Sequence, residues 1–232
     1  MVALMKKSAL AGVVLTLVLM GGQGVRAQDP QGVPAVVQVW WLNADDKGYP
    51  IGTAFHVGNG VFFTNGHIVN PQVVGGSSIP KEFDRLFVRT LFPGSQRVFG
   101  PATITCIDSR WHGGRIDNAN DFDVATFRIP QATELPFLRF AGQTPGYGTV
   151  VHLVGFPAVA TLKQYTATAH IDELTTDNVS IRVDAGFAWG GSSGSPVLNT
   201  ANEIVGIVFG RTDEVMYAVP LPTAIAICKD AP

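Results

Sequence analysis

The chain of 232 residues holds only two cysteines, Cys106 and Cys228. Two are too few for a disulfide scaffold, and they are not spaced as metal ligands, so neither a metal nor any other cofactor is expected. Charge is sparse too: Asp, Glu, Lys and Arg make up 15% of the residues, the formal net charge is −2, and no basic run occurs. A nucleic-acid partner is therefore excluded, because such surfaces need clustered cations to neutralise phosphates. After the stretch Ala9 to Met20, no segment reaches the roughly 18 uninterrupted apolar residues of a membrane span. Helical periodicity is scarce, and only the tail 222–229 (PTAIAICK) predicts a helix, with Pro222 suited to its first turn.

What is present begins with a leader. Lys6 and Lys7 precede the apolar stretch, and small residues follow up to Ala27, the order of a secretory signal peptide. Residues 1–27 are expected to be removed, leaving a secreted or periplasmic protein without a membrane anchor. The loss of Lys6, Lys7 and Arg26, with no acidic residue, lowers the net charge to about −5. Export would allow one bridge between the cysteines; two buried free thiols are the alternative, and sequence does not decide between them.

Beyond the leader, short β-branched and aromatic runs are separated by Gly, Pro, Asn and Asp clusters. Strands are expected over Ala35–Leu42, Ile51–Val57, Val61–Thr64, Arg85–Leu91, Arg97–Cys106 and Val124–Ile129. A second set covers Thr149–Val154, Tyr165–His170, Val179–Val183, Pro196–Leu198, Ile204–Phe209 and Val215–Val219. So many short strands indicate an all-β sandwich or barrel. The weakly patterned stretch 130–148 separates two halves, assigned as 28–135 and 136–232.

Three separated segments could carry chemistry. In WGGSSGSPVLN, 189–199, glycines surround serines; taken alone this is a flexible linker or a held nucleophile. A serine hydroxyl needs an imidazole to take its proton, a third group to orient that imidazole, and backbone N–H groups to receive the oxyanion. Of the five histidines, His67 stands at the end of the strand Val61–Thr64, a position that favours sites over packing. His56 and His152 fall inside apolar strands and are read as structural, while His112 and His170 are read as solvated. In NDFDVATF, 120–127, Asp123 precedes a strand whose start would bury it, and a buried carboxylate needs a partner. Asp121 is the alternative acid.

Together these segments resemble the trypsin/chymotrypsin-like serine peptidases, in particular their bacterial exported branch. TNGHIV at 64–69 is similar to the family's histidine motif, DVATF at 123–127 to its aspartate motif, and GSSGSP at 191–196 to its serine motif, in the family's order. The resemblance implies two packed six-stranded antiparallel β-barrels, chymotrypsin-like, with a short C-terminal helix and a cleft between them. It implies Ser193 as nucleophile, His67 as general base and Asp123 as orienting carboxylate, with the N–H groups of Gly191 and Ser193 as the oxyanion hole. Ser192 stands where the animal digestive members carry an aspartate that pairs with a newly cut N-terminal amine, so that route of activation is not available here.

By the same resemblance the pocket for the residue before the scissile bond is walled by Phe187, Val208, Phe209, Gly210 and Val215. No acidic residue lies at its aligned floor, so cleavage after small or medium apolar residues of a polypeptide is expected rather than after Lys or Arg. The chain ends soon after the second barrel, and a monomer is expected. A secreted, catalytically silent binding protein with this fold is the competing reading; its mark would be a missing triad member, and none is missing. Esterase action on small substrates would use the same residues.

Overall fold

The computed structural model describes residues 33–70, 82–92, 95–108, 122–157, 163–174, 179–183, 190–211 and 215–229. The leader expected at 1–27 lies outside them. Seven strands build the first sheet: β1 (Val36–Leu42), β2 (Gly48–Gly58), β3 (Val61–Thr64), β4 (Arg85–Phe92), β5 (Ser95–Phe99), β6 (Thr103–Ile107) and β7 (Ala125–Arg128). Their order is β5-β4-β1-β2-β3-β7-β6, with every ladder antiparallel. Six more form a closed barrel: β8 (Val150–Gly155), β9 (Tyr165–Leu174), β10 (Val179–Val183), β11 (Pro196–Leu198), β12 (Ile204–Arg211) and β13 (Val215–Pro220). A single turn of helix, α1 (Gly66–Val69), follows β3, and the helix α2 (Leu221–Ile227) closes the described chain. The fold is thus nearly all-β and chymotrypsin-like, with the expected short C-terminal helix.

The strand expected over Arg97–Cys106 is divided into β5 and β6 at Gly100-Pro101. Proline has no N–H to give a ladder, so pairing stops there. Pairing resumes through the Ala102 N–H, which donates to the Leu86 carbonyl at 2.8 Å.

β3 is buried at all four positions because both faces of the sheet are covered. Phe62 stacks on Phe127 at 5.2 Å within the first sheet's own core, beside Val37, Val39 and Ile68. Phe63 stacks on Phe55 at 5.9 Å on the opposite face. There both rings join Val154, Phe156, Leu198, Ile207 and Val219 of the barrel in one cluster, which packs the two sheets together. Each fully buried Phe contributes on the order of 2 to 3 kcal/mol from apolar burial. A disulfide adds a covalent tie between β6 and the end of α2: Cys106 is bonded to Cys228, 122 residues along the chain.

Candidate active site

β3 delivers its last residue, Thr64, into the buried turn Asn65-Gly66, and α1 then presents His67. The helix is held from both sides. Trp41 Nε1 donates to the Ile68 carbonyl at 3.0 Å, and the His67 backbone N–H donates to Asp123 Oδ1 at 3.0 Å. The other carboxylate oxygen, Oδ2, meets His67 Nδ1 directly. Asp123 thus grips His67 twice, through ring and backbone, which fixes the position of the imidazole. The two side chains are 10% and 20% exposed, at the rim of the core.

Asp123 is itself braced. Asn65 Nδ2 donates to its carbonyl at 2.6 Å. Asp108, 4% exposed, accepts the Phe122 N–H on Oδ2 at 3.1 Å and donates its own N–H to the Val124 carbonyl at 3.0 Å, securing the residues on either side. Sequence reasoning passed over Asn65 and Asp108, whose importance lies in backbone partners that no local pattern reveals. Asp121, the alternative acid, lies outside the described residues.

The serine loop approaches from the barrel. Gly191 and Gly194 have φ of +105° and +82°, which side chains resist. At Gly194 an added Cβ would also lie 2.0 Å from the Thr53 carbonyl oxygen. The loop is stitched at several peptide planes. Ser195 N–H donates to the Ser192 carbonyl at 3.0 Å, Gly194 N–H to the Val208 carbonyl at 2.8 Å, and Thr53 N–H to the Ser193 carbonyl at 2.9 Å. In a trans peptide C=O and N–H point opposite ways, so the first bond turns the Ser193 N–H away from Ser195. Among the described residues neither the Gly191 nor the Ser193 N–H has an acceptor.

Gly52 shows how near the two halves of the site come. A Cβ there would sit 2.5 Å from Ile68 Cδ1 and 3.1 Å from the Ser193 carbonyl oxygen. Ile68 directly follows His67, so the histidine turn and the serine loop dock against the same residue of β2.

The residues expected to wall a specificity pocket are distributed unevenly. Phe187 lies outside the described residues. Val208 is 1% exposed, with its side chain in the barrel core beside Val151 and Leu153, and its backbone carbonyl and N–H pair with Gly194 and Ser195 of the serine loop. Phe209 is the extra residue of a bulge between β12 and β13, half-buried with its ring 6.4 Å from Tyr217. Bulges beside sites re-aim side chains in this way. Gly210 and Val215 are half-buried at the adjoining strand positions. Elsewhere a groove of about 440 Å³, lined by Trp40, Leu42, Phe87, Arg89 and Val98 among others, shares no residue with this site.

His56 and His152 stand in strands β2 and β8, buried and half-buried. His170 is exposed, and His112 lies outside the described residues. No group of three or more His, Cys, Asp or Glu able to hold a metal occurs among the described residues, and no described helix is long and apolar enough to cross a membrane.

The model of the trypsin-like peptidase domain matches residues 52–207, well over half of the chain. The chain belongs to the trypsin-like peptidase family. It is an enzyme of the serine endopeptidase class. Its fold is similar to that of the Rv3671c protease of M. tuberculosis, at 22% identity and a TM-score of 0.60, over 84% of this chain and 88% of that one in its inactive form. The active form gives the same identity and TM-score over 86% and 82%. A serine endoprotease from Yersinia pestis is similar at 20% identity and a TM-score of 0.63, over 86% of this chain and 65% of that one. Comparison with curated proteins finds no match.

Proposed function

We propose that this peptidase is exported and cleaves polypeptides through Ser193, His67 and Asp123. The double grip of Asp123 on His67 carries the reading, since a carboxylate at Nδ1 and at the backbone N–H orients the imidazole for proton transfer through Nε2. In this scheme the Ser193 hydroxyl oxygen attacks the peptide carbonyl carbon while its proton passes to His67 Nε2. The oxyanion is received by the N–H groups of Gly191 and Ser193. His67 then gives the proton to the leaving amine, and water, activated by the same nitrogen, releases the acyl group from Ser193.

The leader-like sequence 1–27 and the Cys106–Cys228 disulfide support export, because such bonds persist in oxidising compartments. Cleavage after small or medium apolar residues is supported by the sequence at the positions expected to line the pocket, 187–190, 208–210 and 215–217, which holds no acidic residue. Asp123→Asn is expected to keep the fold and to lower kcat on peptides by about four orders of magnitude, because it stabilises the wrong imidazole tautomer. Steady-state hydrolysis of a peptide library by wild type and variant checks both points. Undiminished turnover in Asp123→Asn contradicts the triad, and a profile dominated by Arg or Lys contradicts the apolar preference.

A further inference from the structure

Thr53 on β2 uses all of its polar atoms within one network. It is fully buried. Its Oγ1 donates to the Gly191 carbonyl at 2.8 Å and accepts the Phe156 N–H at 3.0 Å. Its N–H holds the Ser193 carbonyl at 2.9 Å, and its carbonyl accepts from Thr64 Oγ1 at 2.7 Å. Four segments therefore meet at one residue: the end of β3 that leads to His67, the end of β8, and the two sides of the nucleophile.

We infer that the Thr53 hydroxyl is a positioning residue for the oxyanion-binding backbone, acting through the Gly191 carbonyl; this rests on the reading of Ser193 given above. The Gly191–Ser192 peptide has its oxygen held by Thr53 Oγ1, and the Ser193–Gly194 peptide has both ends held, by Thr53 and Val208. Between them the Ser192–Ser193 peptide is tied by Ser195. Removing Oγ1 frees the Gly191 carbonyl, the anchor next to the Gly191 N–H. The loop then samples orientations in which that N–H no longer points at the developing charge. The hydroxyl never touches substrate, so its loss weakens transition-state stabilisation and leaves ground-state binding in place.

Thr53→Val keeps the shape and deletes the donor. It is expected to lower kcat per fluorophosphonate-titrated serine by about 10- to 100-fold, less than the loss of an oxyanion donor itself, with KM changed by less than about twofold. Thr53→Ser, which retains the hydroxyl, is expected to keep wild-type kcat. A Thr53→Val enzyme with lowered thermal stability and unchanged kcat per titrated site overturns the proposal. Should Thr53→Val fail to fold, Thr53→Ser decides alone: unchanged kcat supports the hydroxyl's role, and a fall of about tenfold or more overturns it. Ser193→Ala serves as the separate control, since peptide hydrolysis surviving in it overturns the reading of Ser193 whatever Thr53 does.

Discussion

His56 lies within the hairpin of β2 and β3 and His67 just beyond it, and their surroundings differ. His67 sits at the rim of the core against a carboxylate. His56 is fully buried, with Nδ1 donating to the Leu135 and Pro136 carbonyls at 3.1 and 3.0 Å and Nε2 accepting the Gly60 N–H at 3.0 Å. Those bonds require the neutral ring, because a proton on Nε2 would face the Gly60 N–H. Desolvation by burial lowers the His56 pKa from its ordinary 6.5, against the opposing pull of the two carbonyls. Below pH 6.5 the unfolded chain binds a proton that the folded one refuses, so stability falls as pH drops through 6.5 toward the depressed folded value. His56→Gln is expected to be less stable at neutral pH but to lose less stability on acidification, measured by urea unfolding from pH 7.5 to 5. An equally steep loss in the variant would contradict this account. Sequence offers His67, Asp123 and Ser193 as candidates because each lies in a short local motif. Thr53 could not be found that way, since its partner Gly191 is 138 residues distant and nothing near Thr53 announces it.

The strands were legible as elements because turn residues bound them and because β-branched and aromatic residues suit a pleated, buried surface. All six barrel strands, β8 to β13, lie where apolar runs predict them. The division of Arg97–Cys106 into β5 and β6 was harder to see, since apolar residues flank Gly100-Pro101 on both sides. Only the missing proline N–H marks the break. The disulfide joins two elements that no sequence pattern relates, β6 and the residue after α2. On the chain-entropy estimate, closing a loop of this length contributes about 4 to 5 kcal/mol. The paired variant Cys106→Ser/Cys228→Ser is expected to lose that much in urea unfolding, and wild type under strong reductant should follow it. A midpoint unchanged by either would show the bridge to be energetically idle.

For the whole molecule, the decisive feature is that one apolar cluster spans both sheets, and the strands that build it also carry the residues that meet the serine loop. Phe55 and Phe63 of β2 and β3 pack against Val154, Phe156 and Leu198. A few residues along those strands, Gly52 and Thr53 meet the serine loop. The core thus holds the segment that ends at His67 and the loop that carries Ser193 against the same strand, β2. Composition foretold such a core, with hydrophobic residues at 46%, but not which faces would share it, because apolar runs buried on both sides carry no alternation to reveal orientation. In the proposed scheme this arrangement chemically activates the serine at 193. The most direct test of that scheme is labelling with a fluorophosphonate probe followed by mass spectrometry of the digested protein. Phosphonylation of Ser193 is expected, absent in Ser193→Ala and strongly slowed in His67→Ala. A folded protein that cleaves peptides yet carries its label on another residue, or labels equally fast without His67, would contradict the scheme.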